Sequence, residues 1–261
     1  MTSQDLLLRE RQGAISERLK ISGRVLASEL ASEFGVSEDT IRRDLREMAA
    51  AGLCERVYGG ALLISPASGG NLRQRIAIAP DRKAELAHAA LSQIEAGSVV
   101  FFDAGSTNLA IANALADDIA LTAVTNAPMI ATALLDYPGI EVILIGGRMD
   151  RLAGGAIGAR AIRDLEMLSP DLCLLGACGI DIAAGVTTFG FEDAELKRCA
   201  ASRSRKILVA ATAEKFGTTA PYNVVPVERC SHLVVESGID RDLLDAYRLR
   251  GCHVVVAGKA D

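Results

Sequence analysis

Apolar positions recur at helical spacing over residues 1–60 and gather into short runs beyond residue 80, and this change of pattern divides the chain. In residues 36–48 (VSEDTIRRDLREM), Ile41, Leu45 and Met48 fall four and three apart. That is one helical stripe, and it leaves Thr40, Arg42, Arg43 and Arg46 mainly off it. Ser37 is placed to accept from the free amide of Thr40, and Glu38 and Asp39 put negative charge on the positive helix end. The helix therefore starts near Glu38. Upstream, residues 25–34 (VLASELASEF) set Leu26, Leu30 and Phe34 one turn apart, and Gly35 supplies the tight turn that follows. Ile15 and Leu19, within residues 7–19, mark a third helix to cover the pair. Residues 52–61 (GLCERVYGGA) read as a helix C-cap, a short strand and a glycine turn, which makes a wing with Arg56 near phosphate. The first 63 residues are thus expected to form a small winged helix-turn-helix domain.

Residues 64–80 have little periodicity, are rich in Ser, Gly and Pro, and read as a linker. From 81 to 261 the short apolar runs alternate with helix-length segments. The runs are 98–103, 120–125, 140–145, 171–177, 206–210, 232–236 and 252–257, and helical stretches such as 109–116 and 191–201 separate them. Strands apolar on both faces, joined by helices, predict a Rossmann-like α/β domain with a mainly parallel sheet.

Ligands of open parallel sheets bind beyond the carboxyl ends of the strands, so the residues following each run are candidates for chemistry. They are Asp103-Ala104-Gly105-Ser106-Thr107-Asn108, Thr125-Asn126, Gly146-Gly147-Arg148 and Cys178-Gly179-Ile180-Asp181. Gly105 lets the backbone approach a ligand, and the hydroxyls of Ser106 and Thr107 with the free amides of the next helix can hold a phosphate. Lys215, just after a strand, can reach the same phosphate. Glu195 and Lys197 lie on a charged helix that fits a solvated face as well as a pocket.

Composition narrows the partners. Half of the residues are hydrophobic and the net charge is −5, which argues against nonspecific coating of nucleic acid or of an anionic membrane. Residues 1–60 carry nine basic and ten acidic side chains, so any DNA affinity must come from one face. The six cysteines form no C-x-x-C pair and sit among Leu, Val and Ala, and the three histidines are scattered. Buried thiols in a reducing compartment are expected, with no metal and no cofactor. No apolar run approaches the length of a membrane span and the N-terminus lacks a signal peptide's regions, so a cytoplasmic protein is expected.

The run 36–45 (VSEDTIRRDL) followed by 56–61 (RVYGGA) resembles the N-terminal signature of DeoR-family bacterial transcription regulators. Residues 103–107, 124–126, 145–147, 195–198 and 215–217 look like successive motifs of that family's C-terminal sensor domain, so the resemblance spans nearly the whole chain. It implies a fold similar to ribose-5-phosphate isomerase and a phosphorylated sugar or sugar derivative as effector. Gly105, Ser106 and Thr107 would hold phosphate, Asp103 and Asn126 would line the pocket, and Lys197 and Lys215 would meet anionic groups. Gly146 and Gly147 belong to the same set. Two departures stand out: Gly105-Ser106-Thr107 where Gly-Thr-Thr is usual, and Val235-Glu236-Ser237 where a Thr-Asp pair is usual.

The expectation is a DNA-binding regulator, a repressor of a sugar or polyol catabolic operon, not an enzyme. Ser37, Thr40, Arg42, Arg43, Arg46 and Arg56 would meet a double-stranded operator. Because one helix-turn-helix covers half a site, a homo-oligomer (dimer or tetramer) is expected. The alternative is an isomerase fused to a DNA-binding domain, with Asp103 and Glu195 as the carboxylates available for a general base.

Overall fold

The computed structural model describes residues 3–22, 24–50, 53–57, 59–63 and 70–258. The chain separates into two compact units, Met1–Gly69 and Gly70–Asp261.

The first unit contains α1 (Ser3–Ser22), β1 (Arg24–Leu26), α2 (Ala27–Phe34), α3 (Glu38–Ala50), β2 (Cys54–Val57) and β3 (Gly60–Leu63), with the strands in the order β1-β3-β2. Ile15 and Leu19 of α1, Leu30 of α2, and Ile41, Leu45 and Met48 of α3 meet in one core with Val25, Cys54 and Ala61. The stripe seen in the sequence is therefore the buried face of α3. Asp44, on the same helix, is buried and takes a two-pronged ion pair from Arg11 of α1, at 2.5 and 3.1 Å. Gly35 ends α2 in the left-handed conformation (φ 63°), and its amide and that of Val36 both return to the Ala31 carbonyl. Val25 and Leu26, read from sequence as the first turn of α2, instead form β1, with Val25 opposite Ala61 and Leu26 opposite Gly60. The pairing depends on Gly60, where a Cβ would lie 1.9 Å from the Val25 carbonyl oxygen.

The second unit opens with α4 (Leu72–Ala77) and α5 (Pro80–Leu91), continues through β4 (Val99–Phe102), α6 (Ser106–Asn113), β5 (Leu121–Thr125), α7 (Pro128–Leu134) and β6 (Ile140–Leu144), and turns into the hairpin β7 (Arg148–Asp150) and β8 (Gly155–Ile157). Then follow α8 (Ala159–Glu166), β9 (Leu172–Leu174), β10 (Gly179–Asp181), β11 (Gly185–Thr188), α9 (Phe191–Arg203), β12 (Lys206–Ala211), β13 (Tyr222–Val225), β14 (His232–Val235), α10 (Arg241–Leu249) and β15 (His253–Val256). All seven apolar runs pair in parallel in one sheet, in the order β15-β14-β12-β9-β4-β5-β6. Val100 and Phe102 pack with Leu86, Ile111 and Ile130 on one side, while Phe101 packs with Leu165, Leu196 and Tyr247 on the other. Both faces of each central strand are covered, which is why the runs lack polar alternation. Two features were not legible as strands: the antiparallel β10-β11-β13 sheet and the β7–β8 hairpin. Helix α4 lies inside the stretch read as linker. Its capping box, with Asn71 accepting from the Gln74 amide and Gln74 accepting from the Asn71 amide, starts a helix in a segment without apolar periodicity. Among the described residues no helix is long and apolar enough to cross a membrane.

Candidate functional site

On the first unit, α3 turns Arg42, Arg43, Arg46 and Glu47 to solvent, away from the Ile41, Leu45 and Met48 stripe. Ser37 caps the helix as its sequence implies, accepting the Thr40 amide at 3.2 Å, and its hydroxyl lies 2.9 Å from that of Thr40. Arg42 and Arg43 are exposed side by side, and Arg46 is exposed one turn further on. Arg42 is drawn back to Glu38 at 2.6 Å, Arg43 forward to Glu47 at 3.3 Å, and Arg46 donates to the Arg42 carbonyl at 3.3 Å. Side chains of this length on an exposed N-terminal helix half suit phosphates and base edges. The backbone of Arg56 lies in β2, and its side chain lies outside the described residues.

On the second unit the chain adds β4, β5 and β6 in one direction and then β9, β12, β14 and β15 in the other, so the order reverses between β4 and β9. The carboxyl ends of strands diverge there and leave a crevice. Asp103 and Gly176 stand at this point. The Asp103 amide donates to Leu174 at 3.1 Å, and its carboxylate accepts the Gly176 amide at 2.8 Å and the Lys197 ammonium at 2.5 Å. Lys197 also lies 3.1 Å from Asp193, whose other oxygen accepts the Thr188 hydroxyl at 2.6 Å. Burial opposes the charge on Lys197, but Asp103 and Asp193 outweigh it and raise its pKa. Gly176 is required by space, because a Cβ there would meet Asp103 Oδ2 at 2.8 Å.

Gly105 leads into α6, where the first intrahelical donor is the Leu109 amide to the Gly105 carbonyl, at 2.9 Å. The amides of the first turn thus point ahead of the helix, beside the half-buried Ser106 and the buried Thr107. Asn126 is wholly buried and bound to backbone. It accepts from the Ala104 amide at 3.0 Å and donates to the Ala156 carbonyl at 3.1 Å, so it fixes the loop that carries Gly105.

Three further cations gather at these strand ends with carbonyls as partners. Lys215 donates to Ala177 at 2.7 Å. Arg75 of α4 donates to Gly70, Leu152 and Ala153, at 3.1, 2.6 and 3.0 Å, and has no carboxylate within ion-pair distance among the described residues. Lys83 of α5 donates to the carbonyls of Arg75 and Ile78. Burial lowers the pKa of all three, with mutual repulsion adding to it at Lys83, which falls to about 8, and at Lys215. Lys83 is buried and Arg75 and Lys215 are half-buried, and none of the three has a carboxylate within ion-pair distance among the described residues.

The sequence reading did not single out Arg75, Lys83, Asp193 or Gly176. The i, i+4 spacing of Asp193 and Lys197 on a helix was the available signal for one of them. Gly146 and Gly147 are exposed at the end of the edge strand β6, and Gly147 (φ 151°) lets the chain pass the Ile157 carbonyl, 2.8 Å from where a Cβ would sit. Glu195 is exposed on α9 while Lys197 is buried, so the helix turns one charged residue to solvent and the other inward. Glu236, at the departure from the usual Thr-Asp pair, is held by Arg82 at 2.5 Å and accepts the Ala213 amide at 2.6 Å, so it anchors the turn that carries Lys215.

Compared with known proteins, residues 11–67 match the DeoR-like helix-turn-helix domain and residues 78–237 the DeoR C terminal sensor domain. The chain is 34% identical over 215 residues to the glycerol-3-phosphate regulon repressor of Escherichia coli (strain K12), covering 82% of this chain and 85% of that protein. It is 30% identical over 249 residues to the HTH-type transcriptional regulator GolR of Listeria innocua, covering 95% and 98%. Among solved structures, ribose 5 phosphate isomerase A from Neisseria gonorrhoeae matches at 18% identity with a TM-score of 0.40, over 53% of this chain and 54% of that one.

Proposed function

The chain belongs to the DeoR family of DNA-binding transcription regulators, and on that premise we propose that it is the cytoplasmic repressor of a sugar or polyol catabolic operon, released or recruited by a phosphorylated sugar or polyol. The observation that carries the effector assignment is the set of cations Arg75, Lys83 and Lys215, Lys83 buried and the other two partly so, whose partners among the described residues are carbonyls, at the same strand ends as the free amides of α6. A phosphate monoester dianion supplies the missing negative charge and accepts from the Ser106 and Thr107 hydroxyls. The relatives are named for a glycerol-3-phosphate regulon and for transcriptional regulation, which supports a small phosphorylated ligand.

The protein acts by binding, without turnover. Asp103 Oδ2 takes both the Lys197 ammonium and the Gly176 amide, and Glu195 faces solvent, so neither carboxylate named as a base candidate stands ready to take a proton from a C–H bond without first giving up its charge partner or leaving solvent. Operator binding is by a homo-oligomer that sets two copies of α3 in successive major grooves, about 34 Å apart. A thermal-shift screen of sugar and polyol phosphates tests the reading. A ligand at a hundred times its Kd stabilises the folded protein by about 2.7 kcal/mol. The same ligand should change operator affinity about five- to 150-fold in a gel-shift titration. Stabilisation by no phosphorylated compound, or product accumulating beyond one equivalent by NMR, counts against it.

A further inference from the structure

The first turn of α5 carries two adjacent cations, Arg82 and Lys83, at the end of a helix where the dipole disfavours positive charge. They are met differently. Arg82 gives a two-pronged ion pair to Glu236, Nε to Oε1 and Nη2 to Oε2, both at 2.5 Å, and Nη2 also reaches Glu214 at 2.7 Å. Lys83 has only carbonyls as partners among the described residues. Glu236 follows β14 and is buried, and the oxygen that takes Arg82 Nη2 also accepts the Ala213 amide at 2.6 Å. Ala213, Glu214 and Lys215 make one short helical turn. Its first residue is held by Glu236, its second by Arg82, and its third is the lysine that donates to the Ala177 carbonyl. One network thus ties the helix that carries Lys83 to the turn that carries Lys215.

We propose that Arg82, Glu214 and Glu236 are positioning residues for the effector: they clamp α5 to the turn 213–215 and so hold Lys83 and Lys215 together where one anion meets both. This rests on the reading that the effector's phosphate binds among these cations. Repulsion from Lys215 is part of what lowers the Lys83 pKa, so the two charges act on one another in the folded protein. Like charges on long flexible stems spread toward water when nothing holds their segments, and an anion would have to draw them back as it binds. The clamp does that ordering in advance. A direct contact between Glu236 and the effector explains the arrangement poorly, because both its oxygens are taken by Arg82 and an amide and its charge repels phosphate.

The test is the affinity of the full-length protein for inorganic phosphate, by calorimetric titration across a range of pH. Charge and position predict opposite signs. Glu236→Gln keeps an acceptor for the Ala213 amide and removes a negative charge near the cations, which by charge alone tightens phosphate binding. Because the carboxylate holds two segments together, affinity should fall instead, by roughly tenfold, as when a group that orients the direct partners of a bound ion is lost. The pH above which affinity declines should move up, since Lys83 freed from Lys215 recovers part of its ordinary pKa, whereas loss of a carboxylate alone moves it down. Arg75, Glu214 and Arg82, the other charges acting on Lys83, are retained in this variant. Arg82→Lys is the second variant, should the first fail to fold. It keeps the charge but lacks the planar fork that spans Glu214 and Glu236, so affinity should fall by about two- to threefold where charge alone predicts no change. Tighter or unchanged phosphate binding in folded Glu236→Gln, or Arg82→Lys at the parent affinity, overturns the proposal, even if the thermal midpoint drops. Stabilisation of the parent by neither inorganic phosphate nor any sugar or polyol phosphate would remove the reading of the cleft instead.

Discussion

The Lys197 ammonium lies 2.5 Å from the Asp103 carboxylate, joining α9 to the end of β4, and both side chains are almost wholly withdrawn from water. Removing one member leaves the other as an uncompensated buried charge, which typically costs roughly 3–5 kcal/mol. Lys197→Met should therefore lower the thermal midpoint of the second unit sharply. Asp103→Asn with Lys197→Met should recover part of the loss, because it removes the unpaired charge at Asp103, while Asp193 still lacks the cation that lay 3.1 Å from it. A double-mutant cycle that gives simple additivity would refute the coupling.

Ser106→Asp places a carboxylate at the opening of α6, where the proposed phosphate sits. It should abolish the thermal shift given by sugar and polyol phosphates and the effector's action on operator binding. Ser106 is only half-buried, and an acidic residue suits a helix N-terminus, so folding and operator affinity should stay near the parent values. Retained effector response with full stability would move the phosphate elsewhere.

Sequence made the seven-stranded sheet legible because buried parallel strands are continuous apolar runs, and each of the seven runs pairs in it. It made α3 legible because the cap, the stripe and the arginines all lie within thirteen residues. What it hid were contacts between distant segments. Arg75 and Lys83 precede the sheet by many residues, and only the fold brings them toward Lys215. Asn126 was legible as the end of a strand, but not that its amide holds Ala104 and Ala156. Val25 and Leu26 matched helical spacing, and a pairing partner thirty-odd residues away made them a strand.

Arg43 is among the most exposed arginines of the helix surface, 77% accessible, and its pairing with Glu47 is an exposed one that costs little to break. Arg43→Ala should leave the thermal midpoint within about a degree or two while weakening operator binding by roughly 1–3 kcal/mol if the contact is to a base. A loss that is equal on random DNA and reduces the salt slope would assign the contact to phosphate. An unchanged gel-shift titration at fixed salt would exclude Arg43 from the interface.

Lys83 gives the effector cleft a pH dependence whose sign can be worked out. Burial, then repulsion from Lys215 and Arg75, lowers its pKa to about 8, below the ordinary lysine value of 10.5. Between those two values the unfolded chain binds a proton that the folded protein does not, so folding stability from this group rises with pH across that window. A bound phosphate reverses the preference in the cleft, because an anion favours the ammonium. Effector binding near pH 8 should therefore take up a fraction of a proton, seen by calorimetry as an enthalpy that changes with the ionisation heat of the buffer. Affinity should fall as the pH is raised above 8. Lys83→Met should flatten both dependences, and it should also loosen the end of α4, whose Arg75 and Ile78 carbonyls the ammonium holds. Proton release on binding, or an affinity that climbs with pH, would place the anion away from Lys83 and return the phosphate to α6 and Lys215 alone.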